Sequence, residues 1–124
     1  MSTQIDERIF DMNRAELDAY PDGVITLARD ATILRFNRSE AELARRNADD
    51  QIGKNFFVDV APCTAVKEFQ GRFIAFAKGT ASGVERFDFT FRFAWGLQDV
   101  GITMIRKEGR EEINLLVARR SKSN

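Results

Sequence analysis

Apolar and polar positions alternate most regularly in the last third of the chain. Phe87, Phe89, Phe91 and Phe93 are separated by Asp88, Thr90 and Arg92, the two-residue period of a strand with one buried face. Two more strands are predicted at Gln98–Lys107 and Glu112–Arg119, reversing at Glu108-Gly109-Arg110. Earlier, Val24–Leu27 and Thr32–Phe36 flank Arg29-Asp30-Ala31 and read as a hairpin. The middle of the chain is helical in period. Asn37 can cap a helix carrying Ala41, Leu43 and Ala44, which decays through Arg45-Arg46-Asn47. Ile52–Phe57 predicts a short helix, and Val60–Cys63 an ordered loop. Val66, Phe69, Phe73 and Phe76 fall on one stripe of a helix from Val66 to Lys78, ended by Gly79 and Gly83.

At the start, Ile5, Ile9, Met12 and Leu17 have irregular helical spacing, and Asn13-x-x-Glu16 has the form of a capping box. Tyr20-Pro21-Asp22-Gly23 reads as a stop. Two strands, a helical middle and three strands predict an α+β domain, a central five-stranded antiparallel sheet with helices packed on one face. Residues 1–20 are expected to form an N-terminal helical cap on a compact domain spanning 21–124.

Composition narrows the function. Nineteen basic residues balance nineteen acidic ones, which argues against a general nucleic-acid binder. Arg119-Arg120-Ser121-Lys122 reads as a solvated, fraying terminus. No apolar run approaches the ~20 residues of a membrane span, and the N-terminus lacks the build of a signal peptide. A cytoplasmic protein is expected. The chain has no His, which excludes His-based triads and His-ligated metals or haem. A single Cys excludes an internal disulfide and a thiolate metal cluster. An enzyme would have to use Cys63 as a nucleophile with no His to activate it, so none is expected.

Cys63 has two readings. One is a small buried apolar side chain; the other follows from its setting, behind Pro62, in a segment dense in aromatic and turn-forming residues. Gly53-Lys54-Asn55-Phe56-Phe57-Val58-Asp59-Val60-Ala61-Pro62-Cys63-Thr64 resembles the chromophore-attachment segment of the photoactive yellow protein family, a branch of the PAS domains. The resemblance continues more weakly from Asp22 to the last strand, through Glu68-Phe69-x-Gly71-x-Phe73 and Phe87–Phe91.

The resemblance implies a PAS fold and a blue-light sensor. It implies p-coumaric acid held at Cys63 as a thioester, Glu40 as the buried carboxyl that hydrogen-bonds the chromophore's phenolate, and Arg46 as the shield against solvent. Phe56, Pro62, Phe91, Trp95 and, beside them, Phe93 would complete the surroundings. The family's tyrosine, a second donor to the phenolate, corresponds to Phe36, and its supporting threonine to Ala44. The paired loss is coherent, and one donor fewer should raise the phenolate's pKa.

Glu40 also has a local reading, as the box partner of Asn37, and Arg45 and Arg46 as a solvated pair at a helix C-terminus. The second functional reading is an interaction module that has lost the chromophore and docks a protein partner or a second copy. Either version needs a separate signalling partner.

Overall fold

The computed structural model of the chain describes residues 7–120. Expectations placed on residues 1–6, Ile5 among them, and on Ser121 and Lys122 lie outside the described residues. Strands β1 (Gly23–Leu27) and β2 (Ile33–Phe36) form the first hairpin, while β3 (Gly83–Phe93), β4 (Gly96–Arg106) and β5 (Ile113–Arg119) form the meander. They make one antiparallel sheet in the order β2-β1-β5-β4-β3. The first and last strands are thus paired, with β1 lying between β2 and β5 and β5 at the centre of the sheet.

The Phe alternation of β3 turns its rings inward. Phe91 is buried, and Phe87, Phe89 and Phe93 pack against the main core with Ile25, Leu27, Ile102, Met104, Leu115 and Val117. Helix α2 (Arg38–Ala44) and the helical turns between Asp49 and Ala77 cover this face. Phe69 is the hub of the cluster, with ring centroids 5.7 Å from Phe56 and Phe57 and 5.2 and 5.1 Å from Phe87 and Phe89. The three edge-to-face pairs, those of Phe69 with Phe57, Phe87 and Phe89, stabilise by ~0.5–1.5 kcal/mol each beyond the area they bury.

Covering on a single face is corrected by the N-terminal segment. A 3-10 turn, Glu7–Asp11, and helix α1 (Arg14–Ala19) form a second cluster of Ile9 and Leu17 with Val24 and Leu116. Val24 and Leu116 alternate with Ile25, Leu115 and Val117 of the main core, so the segment lies on the opposite face. All five residues of β1 are accordingly buried. The segment is also held through its backbone. Arg35 donates to the Ile9 and Met12 carbonyls, both at 2.9 Å, and Arg110 to that of Phe10 at 3.0 Å. The Asn13–Glu16 capping box is complete in both directions.

Two helix expectations need correction. Gly53 has φ +88°, a left-handed backbone that interrupts any helix through Ile52–Phe57. The helical turn runs instead from Phe56 to Val60, capped by the Asn55 side chain on the Phe57 and Val58 amides. The Val66–Lys78 helix opens with a π-turn, Lys67–Gly71, and becomes α3 only at Arg72–Ala77. Val66 has extended backbone and is exposed, so the buried stripe is Phe69, Phe73 and Phe76.

Asn37 joins the two faces. It is buried, and its Oδ1 accepts from the Glu40 amide (3.0 Å) and the Val24 amide (2.8 Å). Its Nδ2 donates to the carbonyls of Leu17 (2.8 Å) and Asp22 (3.0 Å). Replacing Asn37 by Ala leaves these backbone groups unpaired in the interior. The expected loss is ~2–4 kcal/mol in urea denaturation, against ~1 kcal/mol for Asn13→Ala at the exposed cap.

Candidate functional site

The end of α2, the Val60–Cys63 segment and the β3–β4 turn enclose a cleft of about 480 Å³. Ala44, Arg45, Arg46, Pro62, Cys63, Phe93 and Trp95 are among its lining residues. Each wall has a local cause. Pro62 opens a 3-10 turn, Pro62–Thr64, where its fixed φ suits the first position. Thr64 is fully buried, and both its amide and its hydroxyl donate to the Ala61 carbonyl, at 2.9 and 2.5 Å. Cys63 is thereby held half-buried, with its sulfur accepting from the Arg92 amide at 3.4 Å.

The opposite wall comes from two arginines. Arg45 terminates α2 in left-handed conformation, φ 55° and ψ 48°. Its guanidinium lies 4.4 Å over the Trp95 ring, and Trp95 stacks on Phe93 at 5.0 Å. Arg46 donates to the Val60 carbonyl at 2.9 Å and to Gln51 Oε1 at 3.4 Å. Both arginines remain exposed, as the reading of a solvated pair at a helix end has it, and each also makes a contact at the cleft. Sequence reasoning missed Arg45 as a wall residue, since a basic residue at a helix end is common and its stacking partner lies fifty positions later.

Phe36, Phe56 and Phe91 do not line the cleft. They are buried in the aromatic core against which Cys63 packs. Tyr20 belongs to the cluster on the opposite face of the sheet, so its hydroxyl does not stand in for one at Phe36.

Glu40 is 2% exposed, and its Oε1 has no hydrogen-bond partner. Burial pushes its pKa up to about 8, only partly offset by the attraction of Arg119. The capping box with Asn37 is half-formed. Asn37 caps the Glu40 amide, but no carboxylate returns, because the Asn37 amide donates to the Val24 carbonyl at 3.0 Å. The carboxyl instead lies against β1 at Gly23, where a Cβ would collide with Oε1. Glu40 does not itself line the cleft. It stands one helical turn before Ala44, on the same face of α2, and Ala44 does. Neutral and unpartnered, such a carboxyl can donate a hydrogen bond to an acceptor brought to it.

Residues 11–113 match the family model described as the PAS fold. The chain is 39% identical over 103 residues to a photoactive yellow protein of Rhodothalassium salexigens, covering 83% of this chain and 80% of that protein. It is 40% identical over 87 residues to a photoactive yellow protein of Cereibacter sphaeroides, covering 70% and 68%. Among solved structures, the photoactive yellow protein domain of a sensor histidine kinase from Rhodospirillum centenum superposes with a TM-score of 0.84 at 36% identity. That alignment covers 94% of this chain and all of that domain.

The buried carboxyl makes stability depend on pH. Below about 4.5, the ordinary value, folded and unfolded chains both carry the proton; above it only the folded chain does, up to about 8. Stability should therefore fall as pH rises through that window and level off above it. Glu40→Gln should remove this decline, measured as the difference between wild-type and variant urea midpoints at pH 5 and 9. Asp11 and Asp30, whose pKa values are lowered, act only on the acid side and cancel in that difference.

Proposed function

The chain belongs to the photoactive yellow protein family, within the PAS fold, and from that premise we propose that it is a blue-light sensor carrying p-coumaric acid as a thioester on Cys63. One observation carries the reading. A buried carboxyl with a partnerless oxygen sits one helical turn from the cleft onto which the chain's single thiol opens. When bound, p-coumaric acid supplies a conjugated phenolate that absorbs visible light and a double bond that isomerises on illumination.

The chain's own residues divide the remaining work. Cys63 holds the group from a turn stiffened by Pro62 and Thr64. Phe56 and Phe91 provide the apolar side, and the Arg45–Trp95–Phe93 stack the outer wall. Arg46 joins the end of α2 to the Cys63 segment through Val60. Glu40 holds a proton at neutral pH and gives it up when the acceptor's affinity exceeds its own. The resulting carboxylate is buried, with Arg119 the attracting charge acting on it. Such a charge costs several kcal/mol to keep inside, and opening of the domain relieves it. That opening is the signal to a separate partner protein.

Phe36, buried in the core behind the cleft, and Ala44, on the cleft wall, stand where the family carries hydroxyls. A phenolate there has one donor fewer, so its pKa is expected to lie above that of relatives with the tyrosine. Purified apoprotein mixed with activated p-coumaric acid should gain one adduct by mass, absent in Cys63→Ala. Its visible band should bleach and recover under blue light and change with pH. Phe36→Tyr should move the spectral titration towards lower pH. An unmodified Cys63, or an adduct that never bleaches, would sink the sensor reading, and the first of these would favour an interaction module without chromophore.

A further inference from the structure

The two edges of the sheet are treated differently. At one edge, β2 is four residues long and its pairing with β1 shifts register between Thr26 and Leu27. Its outer side is already occupied: Ile33 donates to the Lys54 carbonyl at 2.9 Å and accepts from the Gly53 amide at 2.8 Å. At the other edge, β3 runs eleven residues and pairs with β4 without a break in register. It contains no Pro, no Lys and no bulge, three of the devices that keep an edge from pairing, and its neighbouring charges Arg86 and Asp88 are of opposite sign.

The direction of its free groups follows from two independent observations. The two-residue turn Ala94-Trp95 closes on the pair Phe93 and Gly96, which commits the odd-numbered residues of β3 to hydrogen bonds with β4. The Arg92 amide points the other way, to the Cys63 sulfur. Val84, Arg86, Asp88 and Thr90 therefore direct their amides and carbonyls outward from the edge. Among the described residues none of these groups has a hydrogen-bond partner.

We propose that this edge pairs antiparallel with the same edge of a second copy of the chain, about a two-fold axis through Phe87. In that register Arg86 faces Asp88 of the second copy, and Asp88 faces its Arg86. Val84 faces Thr90 in the same way, and the four residues exchange their backbone bonds in pairs. Moving the axis by one residue sets Asp88 opposite Asp88 or Arg86 opposite Arg86, so charge selects the register. Arg86 has no ion-pair partner among the described residues. Asp88 is held by Arg120 at 2.8 Å, and a carboxylate can accept from both. The Arg92–Cys63 contact ends the ladder at one side.

Sedimentation equilibrium of the full chain up to ~1 mM should show a monomer–dimer equilibrium. Arg86→Asp, and separately Asp88→Arg, should each weaken it ~10-fold or more, since like charges then meet twice. Mixing the two single variants should restore association, because one chain brings two acidic residues and the other two basic ones. Hydrogen exchange should show amides 84, 86, 88 and 90 gaining protection with concentration while their odd-numbered neighbours are protected throughout. A chain monomeric at every concentration would overturn the proposal. So would a dimer that is indifferent to the charge reversals or is not restored by the mixture.

Discussion

The four hydrogen bonds of the Asn37 side chain tie together the parts on which the site depends. One amide group connects a carbonyl in the last turn of α1, the lead into β1, the Val24 amide within β1 and the first turn of α2. Because all four partners are backbone groups, they specify the axial position and rotation of α2 over the sheet. The rotation decides which side chains turn inward. Glu40, Leu43 and Ala44 face in, and Glu42 stays in solvent. It also delivers Arg45 and Arg46, just past the helix end, to the rim of the cleft. A small displacement at the cap would therefore move the carboxyl and the cleft wall together.

The other half of the site is supported by the aromatic core. Phe56, Phe57 and Phe69 hold the segment that precedes Cys63 against β3, and the same strand donates its Arg92 amide to the cysteine sulfur. The thiol thus sits where two differently stabilised layers meet, one ordered by directional hydrogen bonds and one by packing.

Much of this was legible in the sequence, for reasons that differ by element. The Phe alternation of β3 and the Asn13–Glu16 box are local patterns, and each forms as its spacing implies. Asn37 was legible as a cap, but its bonds to Leu17, Asp22 and Val24 join segments up to twenty positions away and leave no local trace. The same long-range bonding decided Glu40. Its spacing suited a capping box, and only the capture of the Asn37 amide by Val24 leaves the carboxyl unpartnered. The π-turn before α3 and the left-handed Gly53 shifted helix boundaries by several residues, since neither alters the apolar period enough to be read. Of the wall residues, Trp95 and Arg46 were reached through family resemblance, whereas Arg45 depends on a stacking contact between distant positions.

The N-terminal segment docks in part by its main chain. Arg35, Arg110 and Asn37 all belong to the sheet or its connections, and they donate to the carbonyls of Ile9, Met12, Phe10 and Leu17. Carbonyls are the same for every amino acid, so this clamp recognises a backbone path with little regard to the sequence that follows it. Beyond the buried anchors Ile9, Phe10 and Leu17, and the Asp11 carboxylate that pairs with Arg110, substitutions along residues 7–19 leave the carbonyl acceptors of the clamp in place. The domain can thus exchange much of the surface on that side, and the neighbours it meets there, while its central sheet stays covered.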